Sequence, residues 1–150
     1  MNRFPATAAS LLLALSSAVA LAQAPTPRPA PEVDSKPSRR IVATYFHGDV
    51  RCPTCKKLEA DARAAVEGAF ARELADGRVV FTTVNVDRPE NAHFNEDYKL
   101  VTRSLVITEE VGGKIVRWVN LEKIWQHVRD EVAYRDYVVG AVRNYLDGKA

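Results

Sequence analysis

The sequence predicts an α/β fold, a central mixed four-stranded sheet flanked by helices. Runs rich in β-branched and aromatic residues alternate with stretches whose apolar residues recur at helical spacing. The order is strand, helix, strand, helix, strand, strand, helix, which supports a mixed sheet with helices on its two faces. A Cys-x-x-Cys sequence, Cys52-Pro53-Thr54-Cys55, stands where the first strand gives way to the first helix.

Each element has its own signal. Ile41 to Phe46 is a short apolar run suited to a buried strand, and His47-Gly48-Asp49 reads as the turn that ends it. Leu58, Ala62, Ala65, Ala69 and Leu74 then repeat at helical spacing with charged residues between them, so an amphipathic helix is expected from Pro53 to Ala75, ended by Asp76-Gly77. Val79 to Val86 is a second strand. Asp87 to Asn91 is a turn into a short helix over Ala92 to Tyr98. Ser104 to Thr108 and Lys114 to Val119 are strands joined through Gly112-Gly113. Glu122 to Leu146 is expected to be helical, with a break near Asp130-Glu131 where the apolar phase slips. Its expected inner stripe is Ile124, Val128, Val132, Val139, Val142 and Leu146. Trp118, Trp125, Tyr134, Tyr137 and Tyr145 read as packing residues, and His93 and His127 as solvated surface.

The length of 150 residues is that of one domain. Its first part reads as a leader over residues 1–22: Arg3, an apolar run from Ala6 to Leu21, and a small-x-small site at Ala20-Leu21-Ala22. A retained membrane anchor is the alternative, but Thr7, Ser10, Ser16 and Ser17 dilute the run. No Cys follows the run, which argues against a lipid anchor. Residues 23–40, with Pro25, Pro27, Pro29, Pro31 and Pro37 and almost no large apolar residue, read as a disordered Pro-rich linker. The folded domain is placed at 41–148. No later segment approaches the roughly 18 consecutive apolar residues of a membrane span, so no stable membrane insertion is expected after cleavage of the leader. With 21 Lys and Arg against 19 Asp and Glu, the charge balance argues against a dedicated nucleic-acid binder. The expected location is periplasmic or secreted.

The chemistry points to Cys52 and Cys55. A helix start leaves unpaired amide groups and a partial positive charge, which stabilise a thiolate and lower its pKa. A second cysteine one turn later can attack a mixed disulfide and release the partner. Pro53 suits the first helical position because it has no amide hydrogen to lose. Arg51, Lys56 and Lys57 add positive charge. Cys52 is thus read as the attacking thiol and Cys55 as the resolving one, with a redox-active disulfide and no other cofactor. The alternatives are a zinc knuckle, for which only His47, His93 and His127 are left as further ligands, and an inert pair. His47 is read as a turn histidine, with a proton shuttle for the thiols as the alternative; Asp49 is a weaker candidate for the same part. No Gly-rich dinucleotide fingerprint and no flavin site is legible, so a reductase activity would need a partner that carries the reducing cofactor.

Three segments, IVATYFHGDVRCPTCKKLEA, VVFTTVNVDRPENAHFNEDYKL and SLVITEEVGGKIVRW, resemble proteins of the thioredoxin-like superfamily over about Ile41 to Val119. Within it the chain is similar to a bacterial group labelled the ArsF family of nitrophenyl compound nitroreductase subunits. The shared motifs here are Tyr45 to Glu59, Val84 to Phe94, Asp97 to Leu100 and Trp118 to Trp125. The resemblance implies a thioredoxin-like fold, a dithiol at Cys52 and Cys55, and a disulfide or thiol partner, protein or small molecule. It also allows a place as accessory subunit of a reductase. Arg51 stands where thioredoxins carry Trp, Pro53-Thr54 replaces their central pair, and Phe46 falls at the position of their buried acid. Ser104 falls at that of their cis-proline. With those departures the dithiol has a second reading, a non-catalytic module that captures a soft ion such as copper(I), zinc or arsenite.

Overall fold

In a computed structural model, residues 39–149 are described. The expected leader and all of the expected linker except Arg39 and Arg40 lie outside them. The sheet order is β2-β1-β3-β4. Strand β1 (Arg39–His47) pairs in parallel with β2 (Val79–Asn85) and antiparallel with β3 (Ser104–Val111), which pairs antiparallel with β4 (Lys114–Asn120). Helices flank this sheet in a thioredoxin-like arrangement.

Alternation along β1 divides the core. Ile41, Ala43 and Tyr45 are fully buried beneath α1 (Pro53–Ala69) and α4 (Glu131–Leu146), with Leu105 and Ile107 beside them. Phe46 points to the other face and packs with Val86, Tyr98 and Val106. Among the described residues the two faces are covered unequally, since the second receives the short α3 (Phe94–Asp97) at one end. From α1 the buried residues are Cys55, Leu58, Ala62, Ala65 and Val66. Burial of each large aliphatic side chain contributes about 1.5–3 kcal/mol.

Several boundaries differ from the sequence expectation. The Pro53–Ala75 helix is interrupted at Phe70, whose φ of −130° is not helical, and resumes as α2 (Ala71–Ala75). Phe70 turns into the core while Ala69, expected inside, is exposed. The second strand stops one residue earlier than expected. The helix expected over Ala92–Tyr98 is shorter, α3 at Phe94–Asp97, and the turn before it forms a 3₁₀ turn at Pro89–Asn91. The third and fourth strands extend to Val111 and Asn120 because their ladder continues to the hairpin. There Gly112 and Gly113 have φ of 58° and 78°, the left-handed pair that a two-residue turn requires. The ladder shifts register between Glu109 and Glu110, which leaves Val116 as a bulge.

The last helix breaks where the apolar phase slips. A 3₁₀ turn at Glu122–Trp125 precedes α4, and the Asp130 carboxylate caps α4 by accepting from the Ala133 amide at 2.9 Å. The inner stripe of α4 is Tyr134, Val138 and Val142 at spacing of four. Val132, expected inside, is 61 % exposed because the helix begins only at Glu131, so its face is set by Tyr134. Val139 is only partly buried.

Arg39 and Arg40 belong to the sheet and not to the linker. Their backbones pair with Val111 and Glu110. The Arg39 guanidinium also donates to the terminal carbonyls of α4 at Tyr145 and Leu146, the helix end that favours a cation. It shares the buried Glu109 carboxylate with Arg117, which lies over the Tyr145 ring. This cluster closes the helix-side core at the end away from the cysteines. Burial pushes the Glu109 carboxyl up, but hydrogen bonds from Arg39 and Arg117 outweigh it and hold the group below its usual value. Glu109→Gln should therefore lower the unfolding free energy at neutral pH by about 1–3 kcal/mol in urea denaturation. A depressed carboxyl contributes stability above its unfolded-state pKa and loses it as pH falls through the folded value. The gap between variant and parent should therefore close in acid.

Candidate functional site

Cys52 is the N-cap of α1. Its extended backbone (φ −67°, ψ 158°) turns the chain into the helix, Pro53 takes the first turn, and the Lys56 amide closes the first helical hydrogen bond on the Cys52 carbonyl at 3.0 Å. The Cys55 amide donates to Cys52 Sγ at 3.1 Å, so a sulfur does what a Ser or Asp oxygen does at most helix starts. Cys52 and Cys55 form a disulfide with Cα atoms 5.1 Å apart. Cys52 is exposed and Cys55 is buried, which separates a sulfur that a partner can reach from one that it cannot. The first turn of α1 carries no acidic residue, so nothing there opposes a negative charge on sulfur.

Two buried tyrosines hold this turn from below. Tyr45 on β1 donates to the Cys55 carbonyl at 3.0 Å, and Tyr134 on α4 donates to the Leu58 carbonyl at 2.7 Å. Burial pushes the Tyr45 phenol up to about 12, against the opposing charges of Arg51 and Arg103. Burial likewise raises Tyr134, so both stay protonated donors at physiological pH. The resemblance placed Phe46 at the buried-acid position, yet Phe46 lies on the opposite face of the sheet. The residue beneath the dithiol is Tyr45, a neutral donor.

The charge around the site is more balanced than the sequence implies. Arg51 pairs with Glu59, and Lys57 pairs with Asp61 at 2.8 Å and with Glu131 at 2.9 Å. Of the three expected cations, Lys56 alone makes no ion pair with a described residue. An open groove lined by Pro53, Thr54, Lys57, Val128 and Arg129 runs beside the start of α1.

His47 does not engage the sulfurs. Its Nδ1 lies 3.0 Å from the Gly48 carbonyl, to which it donates, so the residue serves the turn. Asp49 is tied into a polar network in which it accepts from Asn85 at 2.7 Å and its amide donates to Asp87 at 2.8 Å. The ends of the Arg103 and Asp87 side chains lie against Gly48, where a Cβ would displace them. Ser104 is buried opposite Phe46, with its hydroxyl donating to the Thr102 carbonyl at 3.1 Å. Among the described residues no group of three or more His, Cys, Asp or Glu converges. Tyr45, Tyr134 and Glu59 are the site residues that the sequence reading passed over. Glu59 follows Cys55 by four residues, one helical turn, a spacing that could have singled it out.

No protein-family model matches the chain, and a search of curated proteins finds no similar one. No described helix is long and apolar enough to cross a membrane.

The sulfur cap has a measurable consequence. Both Cys52→Ser and Cys52→Ala lose the disulfide, but only serine can still accept from the Cys55 amide. Cys52→Ser should be the more stable variant by about 1 kcal/mol in urea denaturation. Equal stabilities would show that the sulfur is not a working cap.

Proposed function

We propose that this protein is an exported thiol–disulfide oxidoreductase or redox relay, with Cys52 as the attacking and Cys55 as the resolving thiol. The observation that carries the reading is the exposed Cys52 sulfur at the N-terminus of α1, disulfide-bonded to a buried Cys55 one turn on. In the forward step the Cys52 thiolate attacks a partner disulfide, forms a mixed disulfide and expels one partner thiolate. Cys55 then loses its proton and attacks Cys52 Sγ. The Cys52–Cys55 disulfide forms, the second partner sulfur leaves with the electron pair, and the partner ends as a dithiol. Run in reverse, the same steps oxidise a partner dithiol.

The partner is a protein or small molecule bearing a disulfide or thiol. The groove beside Pro53 and Thr54 offers a surface next to the reacting sulfur, and Val50 nearby in sequence is 79 % exposed. A periplasmic or secreted location fits a protein whose working state is a disulfide. Likeness to the ArsF group supports a role as the thiol-carrying partner of a reductase that holds its own cofactor. Capture of a soft ion by the reduced dithiol is the competing reading. Two thiolates suit copper(I) or arsenite, but no third described ligand joins them.

The test is redox equilibration of the pair against glutathione, with metal content measured on the same sample. Reversible cycling without bound metal is expected, at a potential above thioredoxin's value of about −270 mV. The helix start, Lys56 and a neutral Tyr45 phenol beneath the turn all favour the thiolate. A pair that will not cycle, or that arrives metal-bound, sinks the oxidoreductase. Cys55→Ala should accumulate mixed disulfides through Cys52 that dithiothreitol releases. Cys52→Ala should accumulate none.

A further inference from the structure

One buried donor next in sequence to the dithiol has no hydrogen-bond acceptor among the described residues. Arg51 immediately precedes Cys52, and its Nε is shut away from solvent without a hydrogen-bond partner. Only one other side-chain polar atom among the described residues, Asn120 Oδ1, is left in that condition. The guanidinium is fixed in place, because Nη2 donates to the Glu59 carboxylate and the two side chains are only 27 % and 19 % exposed. Glu59 lies one turn beyond Cys55 on the same face of α1. The Arg51–Glu59 bridge therefore joins two residues that flank the cysteine pair in sequence. Arg51 lines an open groove along the start of α1 together with Lys56, Glu59 and Arg63. A buried unpaired donor is costly and rare, and a redox or catalytic role is one of the reasons such a group is kept.

We infer that Arg51 is a redox-responsive positioning residue whose spare Nε–H is taken up by the Cys52 thiolate when the disulfide opens. The inference rests on the exchange chemistry proposed for Cys52. Reduction by a dithiol such as dithiothreitol breaks the Cys52–Cys55 bond with two electrons, and the reagent closes its own disulfide. Of the two protons that the reagent gives up, one stays on Cys55 and the other is released, leaving Cys52 as a thiolate. In the disulfide the sulfur is uncharged and the Nε–H is unmet. In the reduced protein it meets a charged acceptor. The difference favours the reduced state. Glu59 sets the size of the effect by holding the fork and neutralising part of its charge. The other ionisable groups around the turn are Lys56, Lys57, Asp61, Arg63 and Glu67 on α1, Tyr45 on β1, Arg103 before β3, and Arg129 and Glu131 at the start of α4.

The experiment is ultraviolet titration of the thiolate in reduced protein made from the full chain, as wild type, Arg51→Gln and Glu59→Gln. Glutathione equilibration and thermal melting of the oxidised forms accompany it. Arg51→Gln should raise the proton affinity of the Cys52 thiolate about tenfold and make the disulfide harder to reduce, with an oxidised form that melts no earlier than wild type. Glu59→Gln should shift both quantities the opposite way by releasing the full charge of Arg51. Two folded variants that titrate as wild type would overturn the inference, because a purely structural bridge moves melting and not thiol acidity. If Arg51→Gln fails to fold, Glu59→Gln decides alone, and an unchanged titration there overturns it. A wild-type pair that titrates but never cycles with glutathione overturns the exchange chemistry instead, and the titration still reads the Arg51 contact.

Discussion

The site depends on two phenols that fix one helix. A helix can slide or turn on a sheet if aliphatic packing alone holds it, because apolar contact has little direction. Tyr45 and Tyr134 remove that freedom. Each donates from the core to a carbonyl of α1, at Cys55 and Leu58, so the first two turns are held from the strand below and from the neighbouring helix. The position of the sulfurs follows from that anchoring. Burial keeps both phenols protonated, which makes them permanent donors across the range in which thiols titrate.

Charge is arranged around the same helix by local pairing. Lys57 bridges Asp61 within α1 and Glu131 at the start of α4, and Arg51 reaches over the first turn to Glu59. Among the described residues the bridges leave the helix start itself and Lys56 as the positive groups near Cys52 that no carboxylate pairs. At the other end of α4 the same logic serves stability. Arg39 fills the role of a C-terminal cap, and Glu109 is buried only because two guanidinium groups converge on it. The domain thus has a dithiol at one end of its helix layer and a neutralised ionic cluster at the other.

The element order, the position of the Cys-x-x-Cys at a helix start and the break before Glu131 were legible in the sequence, because each has a local cause: hydrophobic period, proline at the first turn, a capping aspartate. What depends on long-range geometry was not. Phe46 and Tyr45 are adjacent aromatics in one strand, and only the register Tyr45↔Leu105 and Phe46↔Ser104 decides which of them faces α1. Arg39 reads as linker because its partners, Glu109 and the end of α4, lie 70 or more residues away. The positive ring that composition places around Cys52 shrinks once Glu59 and Glu131 are brought beside it. Alternation likewise could not show that α3 is too short to cover more than one end of the second sheet face.

The register shift between β3 and β4 has an effect of a different kind. β4 is an edge strand, and Ile115, Val116 and Trp118 on it are 48 %, 57 % and 36 % exposed. A flat edge of that composition is a template on which another chain can add a strand. The bulge at Val116 interrupts the regular row of donors and acceptors and increases the local twist. The irregularity in the ladder is therefore a feature that disfavours addition of a further strand at this edge.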